Sequence, residues 1–202
     1  GTRVLARRES RPWGELLRHV NKASDNPLSR LLYLSLGLAG MADEPQATTA
    51  ELAGREVRRW FAEHDIPTAG LVLDNGSGLS RNERITPLQL ARVLKAAWHG
   101  RHAPEMLTSL PVAGVDGTLR RRLQDSPAAG SARLKTGTLS NVVALAGYVH
   151  DADGRPWAVA MMVNHENAGQ ARPVLDALVD AIARHGPHGP ARALPGPQAD
   201  GP

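Results

Sequence analysis

The chain has no cysteine and few aromatic residues. Its 202 residues include four Trp, two Tyr and one Phe. Without cysteine there can be no disulfide, no catalytic thiolate and no zinc site with Cys ligands. Long apolar runs are also missing: residues 141–149 form the longest candidate, which is strand-length, whereas a membrane span needs about 18 residues. We therefore expect a globular protein with one good core or two modest ones, and no membrane span.

The charge pattern argues against nucleic-acid binding. The net charge of +4 comes almost wholly from arginine, which is spread along the chain with small clusters such as Arg120-Arg121-Arg122. A nucleic-acid-binding surface would have a longer basic stripe with interleaved aromatic residues. The composition favours an anionic small substrate or a solvated surface, and we expect no nucleic-acid partner.

Apolar residues recur at helical spacing through the first half of the chain. Thr48-Thr49-Ala50-Glu51 predicts a capping box at the start of one helix. Thr86-Pro87-Leu88-Gln89 opens another helix. Two short strands are predicted in the same half, at residues 2–9 and 70–73.

The last third predicts three consecutive strands and a closing helix. The strands are residues 132–138, 142–150 and 157–164, and a turn at residues 151–154 joins the last two into an antiparallel hairpin. The helix, residues 170–184, is predicted to face the core with Val174, Leu175, Leu178, Val179 and Ile182. This order predicts an α+β fold in which helices pack on an antiparallel sheet.

The C-terminal residues differ in composition from the rest. After Gly186 the chain is rich in Pro and Gly and offers little apolar surface. We expect residues 1–186 to form the folded domain and residues 187–202 to be a disordered tail.

Two short motifs point to acyl transfer. Ser24-Asp25-Asn26 and Lys135-Thr136-Gly137 match two of the three elements that penicillin-recognising serine enzymes use. Acyl transfer needs an activated nucleophile, an oxyanion site and proton delivery to the leaving amine. We interpret Ser24, Asn26 and Lys135 as candidate catalytic residues.

The residues after Lys135 are candidates for substrate binding. The Thr136 and Thr138 hydroxyls can bind a terminal carboxylate, and Gly137 lets an extended substrate backbone approach the strand edge. The third element, a Ser-x-x-Lys, is absent: the lysines are Lys22, Lys95 and Lys135, and no serine has a lysine three residues later.

Each motif also has a simpler explanation. Ser24-Asp25-Asn26 alone could be a helix N-cap, and Lys135-Thr136-Gly137 alone could be any strand end. Their co-occurrence in this order favours a functional site. His99-x-x-His102 and His185-x-x-His188 have spacing compatible with zinc, but no further ligand cluster supports them, so we expect no metal.

The chain resembles the C-terminal part of a D-alanyl-D-alanine carboxypeptidase/endopeptidase, a class C low-molecular-mass penicillin-binding protein. Beyond the two motifs, the resemblance rests on family-like stretches at residues 20–26, 74–81, 110–119 and 134–139 and spans about residues 3–184. It implies a partial penicillin-binding-protein/β-lactamase-like transpeptidase fold that lacks its N-terminal half and leaves a sheet edge unpaired.

The resemblance also implies an activity. It implies a periplasmic, cofactor-free serine enzyme that acts on peptidoglycan stem peptides through an acyl-enzyme, with β-lactams as covalent inhibitors of the complete protein. The nucleophile would belong to a missing N-terminal segment. Two alternatives remain open: a non-catalytic module that binds peptidoglycan peptides, or an inactive truncated fragment.

Overall fold

A computed structural model describes residues 3–42, 44 and 46–186. The predicted tail, residues 187–202, lies outside the described residues. Six α-helices and three strands make up the regular structure of the described part: α1 Trp13–Ala23, α2 Asn26–Ser35, α3 Thr49–Glu63, α4 Pro87–His99, α5 Ala103–Ser109, β1 Arg133–Leu139, β2 Val142–His150, β3 Pro156–Asn164 and α6 Arg172–His185.

Capping residues fix where α3 and α4 begin. Thr48 and Glu51 form the predicted capping box at the start of α3. Thr86 and Gln89 form a second box at α4, where Pro87 is the first helical residue. In each box the threonine side chain accepts from a backbone amide of the first turn, and the Glu or Gln side chain accepts in return.

The three predicted strands form one antiparallel sheet in the order β1-β2-β3. The registers pair Lys135 with Ala146 and Tyr148 with Ala158. Within the described residues β1 and β3 are the outer strands, and β1 is bonded at its start to residues 111–113. The α+β class predicted from the sequence is confirmed.

Helix α6 covers one face of the sheet. Leu175, Val179 and Ala183, spaced four residues apart, are buried against strand residues such as Val143 and Leu145. The prediction that Val174 and Leu178 also face the core is wrong, since they are 59% and 46% exposed. A single helix on one face of a sheet buries one stripe of its side chains, and these two residues flank it.

Helix α4 packs on the opposite face near one end of the sheet. Leu94 and Tyr148 are buried together, with Trp98 packed against them. The Tyr148 hydroxyl donates to the Leu94 carbonyl at 2.7 Å, and burial raises the pKa of Tyr148 to about 12. This contact fixes the helical layer against β2.

Two short predicted strands are wrong. Residues 3–10 are exposed and have no regular structure, and no described strand pairs with them. Near residue 72 there is only an isolated bridge between Val72 and Arg84, although Leu71 is buried as expected. Both segments have strand-like composition, but a strand needs a partner to satisfy its backbone groups.

Candidate active site

The junction between α1 and α2 presents Ser24 to a cleft. Ser24 ends α1 in the left-handed conformation, with φ 55° and ψ 49°. The N-cap of α2 is Asp25, whose Oδ1 accepts from the Leu28 amide at 2.9 Å. Ser24 is therefore the C-cap of α1 and not the N-cap of α2, and its hydroxyl is left for other contacts. A non-glycine residue in this conformation costs about 1–2 kcal/mol, which the surrounding structure must offset.

This geometry separates two neighbouring substitutions. Asp25→Ala should lower the free energy of unfolding by about 1 kcal/mol, because the N-cap of α2 is lost. Ser24→Ala should change it by less than half of that amount. Urea unfolding of both variants measures the difference. An equal or larger loss for Ser24→Ala would assign the structural role to Ser24 instead.

Lys135 on β1 reaches Ser24 across the cleft. Its Nζ donates to Ser24 Oγ at 2.6 Å and to the Thr136 carbonyl at 3.0 Å. Burial lowers the pKa of the Lys135 ammonium. The contact thus joins the Ser24 hydroxyl to the positively charged Lys135 ammonium. Because of its lowered pKa, this ammonium releases its proton more readily than that of a solvated lysine.

The loop at residues 74–81 forms one wall of the cleft. Asn26 Nδ2 donates to the Ser77 carbonyl at 2.6 Å, and Ser29 Oγ donates to the Gly76 carbonyl at 2.8 Å. Gly76 has φ 69°, and a Cβ on it would lie 2.3 Å from Tyr33 Cβ. Only glycine fits this close approach, so the loop is held tightly on α2.

The opposite wall is β1 with the loop before it. Thr136 Oγ1 donates to Thr118 Oγ1 at 3.0 Å, and Thr138 is exposed. A Cβ on Gly137 would lie 3.2 Å from Ala144 Cβ on the neighbouring strand. Glycine at 137 therefore relieves crowding inside the sheet, a reason that the sequence did not reveal.

All six residues proposed from the sequence line one cleft. Its volume is about 440 Å³, and its other lining residues include Asn21, Ser77, Leu79 and Thr118. Thr118 was missed as a site residue, because nothing in its spacing links it to Thr136. The family-like stretch at residues 110–119 was the one available signal.

A larger cavity, about 740 Å³, adjoins this cleft through Gly78. Ala144 and Met162 of the sheet contribute to its lining, and Arg81, Glu83 and Arg84 lie at its rim. We place the chemistry in the smaller cleft, because that is where Lys135 and Ser24 touch.

Within residues 3–42, 44 and 46–186 no group of three or more His, Asp or Glu is arranged to hold a metal ion. None of the helices described is both long and apolar enough to cross a membrane.

The fold is that of penicillin-binding proteins. The chain matches the crystal structure of penicillin binding protein 4 from Haemophilus influenzae with a TM-score of 0.73, at 24% identity, over 85% of this chain and 40% of that one. The same protein in complex with a β-lactam matches with a TM-score of 0.70, over 82% of this chain and 41% of that one, again at 24% identity.

Sequence comparison then identifies the family. The model of the D-Ala-D-Ala carboxypeptidase 3 (S13) family matches residues 1–185, and the chain belongs to this family. It is 34% identical to a D-alanyl-D-alanine carboxypeptidase of an Actinomadura species, over 92% of this chain and 34% of that protein. It is 35% identical to carboxypeptidase DacB of Mycolicibacterium smegmatis, over 90% of this chain and 40% of that protein. The chain therefore spans about two fifths of these relatives or less.

Proposed function

We propose that the complete protein is a serine-type D-Ala-D-Ala carboxypeptidase/endopeptidase that acts on peptidoglycan stem peptides in the periplasm. The observation that carries this proposal is the 2.6 Å contact between Lys135 Nζ and Ser24 Oγ, in a cleft that the Thr136 and Thr138 side chains line. Family membership supports the substrate class. The reaction uses no metal or organic cofactor.

The cleft is suited to the second half of an acylation step. A serine of a Ser-x-x-Lys segment outside residues 1–202 attacks the penultimate D-Ala carbonyl, and its proton passes to the lysine of that segment. The carbon–nitrogen bond then breaks. Ser24 Oγ gives its proton to the leaving amine and regains one from Lys135 Nζ, whose lowered pKa favours the transfer. Lys135 then takes up the proton that the lysine of the Ser-x-x-Lys segment had accepted. Water later hydrolyses the acyl-enzyme ester.

The substrate carboxylate is held on β1. The Thr136 and Thr138 hydroxyls bind it, and Lys135 adds positive charge. Asn26 donates to the Ser77 carbonyl, so the amide that would face the substrate is already oriented. β-Lactams acylate the complete enzyme at the serine of the Ser-x-x-Lys segment. They do so because they present an amide and a carboxylate to the groups that bind the peptide.

The missing N-terminal segment packs on the open part of the sheet. The face opposite α6 carries small apolar side chains at Ala144, Ala146, Ala158 and Ala160. Cavities of about 740 and 500 Å³ adjoin this face. Small side chains let another element approach closely, and the chain spans only 34–40% of its relatives. A segment that lies there brings its serine next to the cleft.

One observation favours a second candidate, a non-catalytic binding module or an inactive fragment. No serine of this chain has a lysine three residues later. In that case the cleft would bind D-Ala-terminated peptides without cleaving them. The two candidates differ in whether the native gene product releases D-alanine.

The native gene product should release D-alanine from a synthetic peptide that ends in D-Ala-D-Ala. A matched peptide with a C-terminal amide should show a kcat/KM about 10- to 100-fold lower, since a hydrogen bond to a charged group contributes about 1.5–3 kcal/mol. Chromatography of the released D-alanine, or of D-alanine amide from the matched peptide, measures both rates. Binding without release would support the non-catalytic module, and equal cleavage of the two peptides would remove the carboxylate role from Thr136 and Thr138.

A further inference from the structure

Lys22 and Asp116 form an ion pair directly behind the candidate site. Lys22 lies in the last turn of α1, two residues before Ser24, and its Nζ donates to Asp116 Oδ2. The two side chains are 22% and 35% exposed. Solvent and salt screen a partly covered ion pair less than one on the open surface.

Asp116 is itself held in place by its own loop. Its Oδ1 accepts from the Val112 amide at 2.9 Å. Burial alone would raise the pKa of Asp116, but the hydrogen bonds from Lys22 and the Val112 amide, together with the positive charges of Lys22 and Arg133, outweigh it and hold the pKa below its usual value. The carboxylate is therefore ionised at neutral pH and holds both groups.

Close packing accompanies the charge contact. Gly117 has φ 57°, and a Cβ on it would lie 3.1 Å from the Lys22 carbonyl oxygen and 3.1 Å from Pro111 Cβ. The loop thus lies directly against the end of α1, at the turn from which Ser24 projects.

The same loop is bonded to the strand that carries Lys135. The Leu134 amide donates to the Pro111 carbonyl at 2.9 Å, and Thr136 Oγ1 donates to Thr118 Oγ1 at 3.0 Å. Residues 111–118 therefore contact both sides of the Ser24–Lys135 pair, one through Lys22 and the other through the neighbours of Lys135.

We propose that Asp116 is a positioning residue that, through Lys22, sets the contact between Ser24 and Lys135. This inference rests on the proposed function only in that the contact belongs to the reaction. The predicted effect of Asp116 on the surroundings of Lys135 does not depend on the proposed function, because it holds whether or not the site is catalytic.

The lysine content of the chain supplies a direct probe. Residues 1–202 contain three lysines, of which Lys95 is exposed on α4. In the native gene product labelled with 13C-lysine, each of the three lysines gives an NMR signal. Single Lys→Arg replacements assign these signals. The titration midpoint of Lys135 reports its burial, because burial is the cause of its lowered pKa. Lys95 serves as the internal reference.

The decisive variant is the double replacement Lys22→Met with Asp116→Asn. It removes both charges together, and Asn retains an acceptor for the Val112 amide. If the pair positions the site, the cleft loosens, water reaches Lys135 and its titration midpoint rises. The single variant Asp116→Asn should raise the titration midpoint of Lys135 as well, although the freed positive charge of Lys22 would by itself lower this midpoint. Lys22→Arg, which keeps the ion pair, should leave it near the native value.

The matched control is Asp176→Asn, which breaks the comparable pair between Arg122 and Asp176 on α6. That pair is similarly covered but lies away from the cleft, so stability should fall without a change at Lys135. An unchanged midpoint in the double variant, or the same shift in the control, would overturn the proposal. In the single variant Lys22→Met, which keeps Asp116, the titration midpoint of Lys135 must rise too. Failure of D-alanine release would sink the proposed function but leave this titration unaffected.

Discussion

Replacement of Lys135 by alanine should lower the rate of acylation by penicillin about 10²- to 10³-fold in the complete enzyme. Lys135 supplies the one side-chain donor that reaches Ser24 Oγ within the described residues, and it lines the cleft in which we propose that the substrate carboxylate binds. Loss of a preorganised charge at a reacting centre has effects of this size. The second-order rate constant for a fluorescent penicillin measures it.

The same substitution should have little effect on stability. The lost hydrogen bonds contribute about 0.5–1.5 kcal/mol each, and removal of the Lys135 side chain leaves space in which water can replace them. Lys95→Ala is the matched control, because Lys95 is exposed on α4 and lies outside the cleft. If acylation by Lys135→Ala stayed within about twofold of the native rate, Lys135 would not stabilise the transition state.

Local signals in the sequence were enough for the elements that bound the site. The turn after β2 was predictable because Asp151 and Gly154 occur between two apolar runs. In the structure Asp151 Oδ1 accepts from the Asp153 amide at 3.0 Å and from the Arg155 amide at 2.9 Å, so one side chain closes the turn. The capping boxes at Thr48 and Thr86 were predictable for the same reason, since each uses residues three apart.

Errors arose where the outcome depends on a distant partner. Val4 and Leu5 have strand-like composition, yet no described strand lies beside them, and they are exposed. Val174 and Leu178 fit the helical period of α6, but the sheet accepts only the stripe of Leu175, Val179 and Ala183. Periodicity gives a helix and an apolar side, whereas the width of the buried stripe depends on the opposing surface.

The candidate site shows the same limit. The Ser24 and Lys135 motifs were identified as a pair by their resemblance to a family, because a sequence separation of 111 gives no physical reason for them to meet. The approach of Thr118 to Thr136 depends on atoms that only the folded chain brings together, and composition could not have assigned it. The N-cap of α2 is a local contact between Asp25 and Leu28, and it fits the N-cap explanation of the Ser24-Asp25-Asn26 triplet.

The largest difference we expect is between this chain alone and the complete protein. A fluorescent penicillin should leave residues 1–202 without a covalent adduct, whereas the chain joined to its Ser-x-x-Lys segment should be labelled at a serine outside these residues. Activation of a serine needs a nearby base. Electrophoresis with fluorescence detection, followed by mass spectrometry of the labelled peptide, measures both results.

Ser24 is the serine that tests this expectation most severely, because a lysine amine already touches it. In the structure, however, Lys135 Nζ donates to Ser24 Oγ and to the Thr136 carbonyl, an arrangement that suits a charged donor rather than a base. Lys22, which is close to Ser24 in sequence, donates a hydrogen bond to Asp116 instead. Ser24→Ala in the complete protein should therefore slow labelling without moving the adduct. A penicilloyl group found on Ser24 would make this chain a complete catalyst with a different nucleophile.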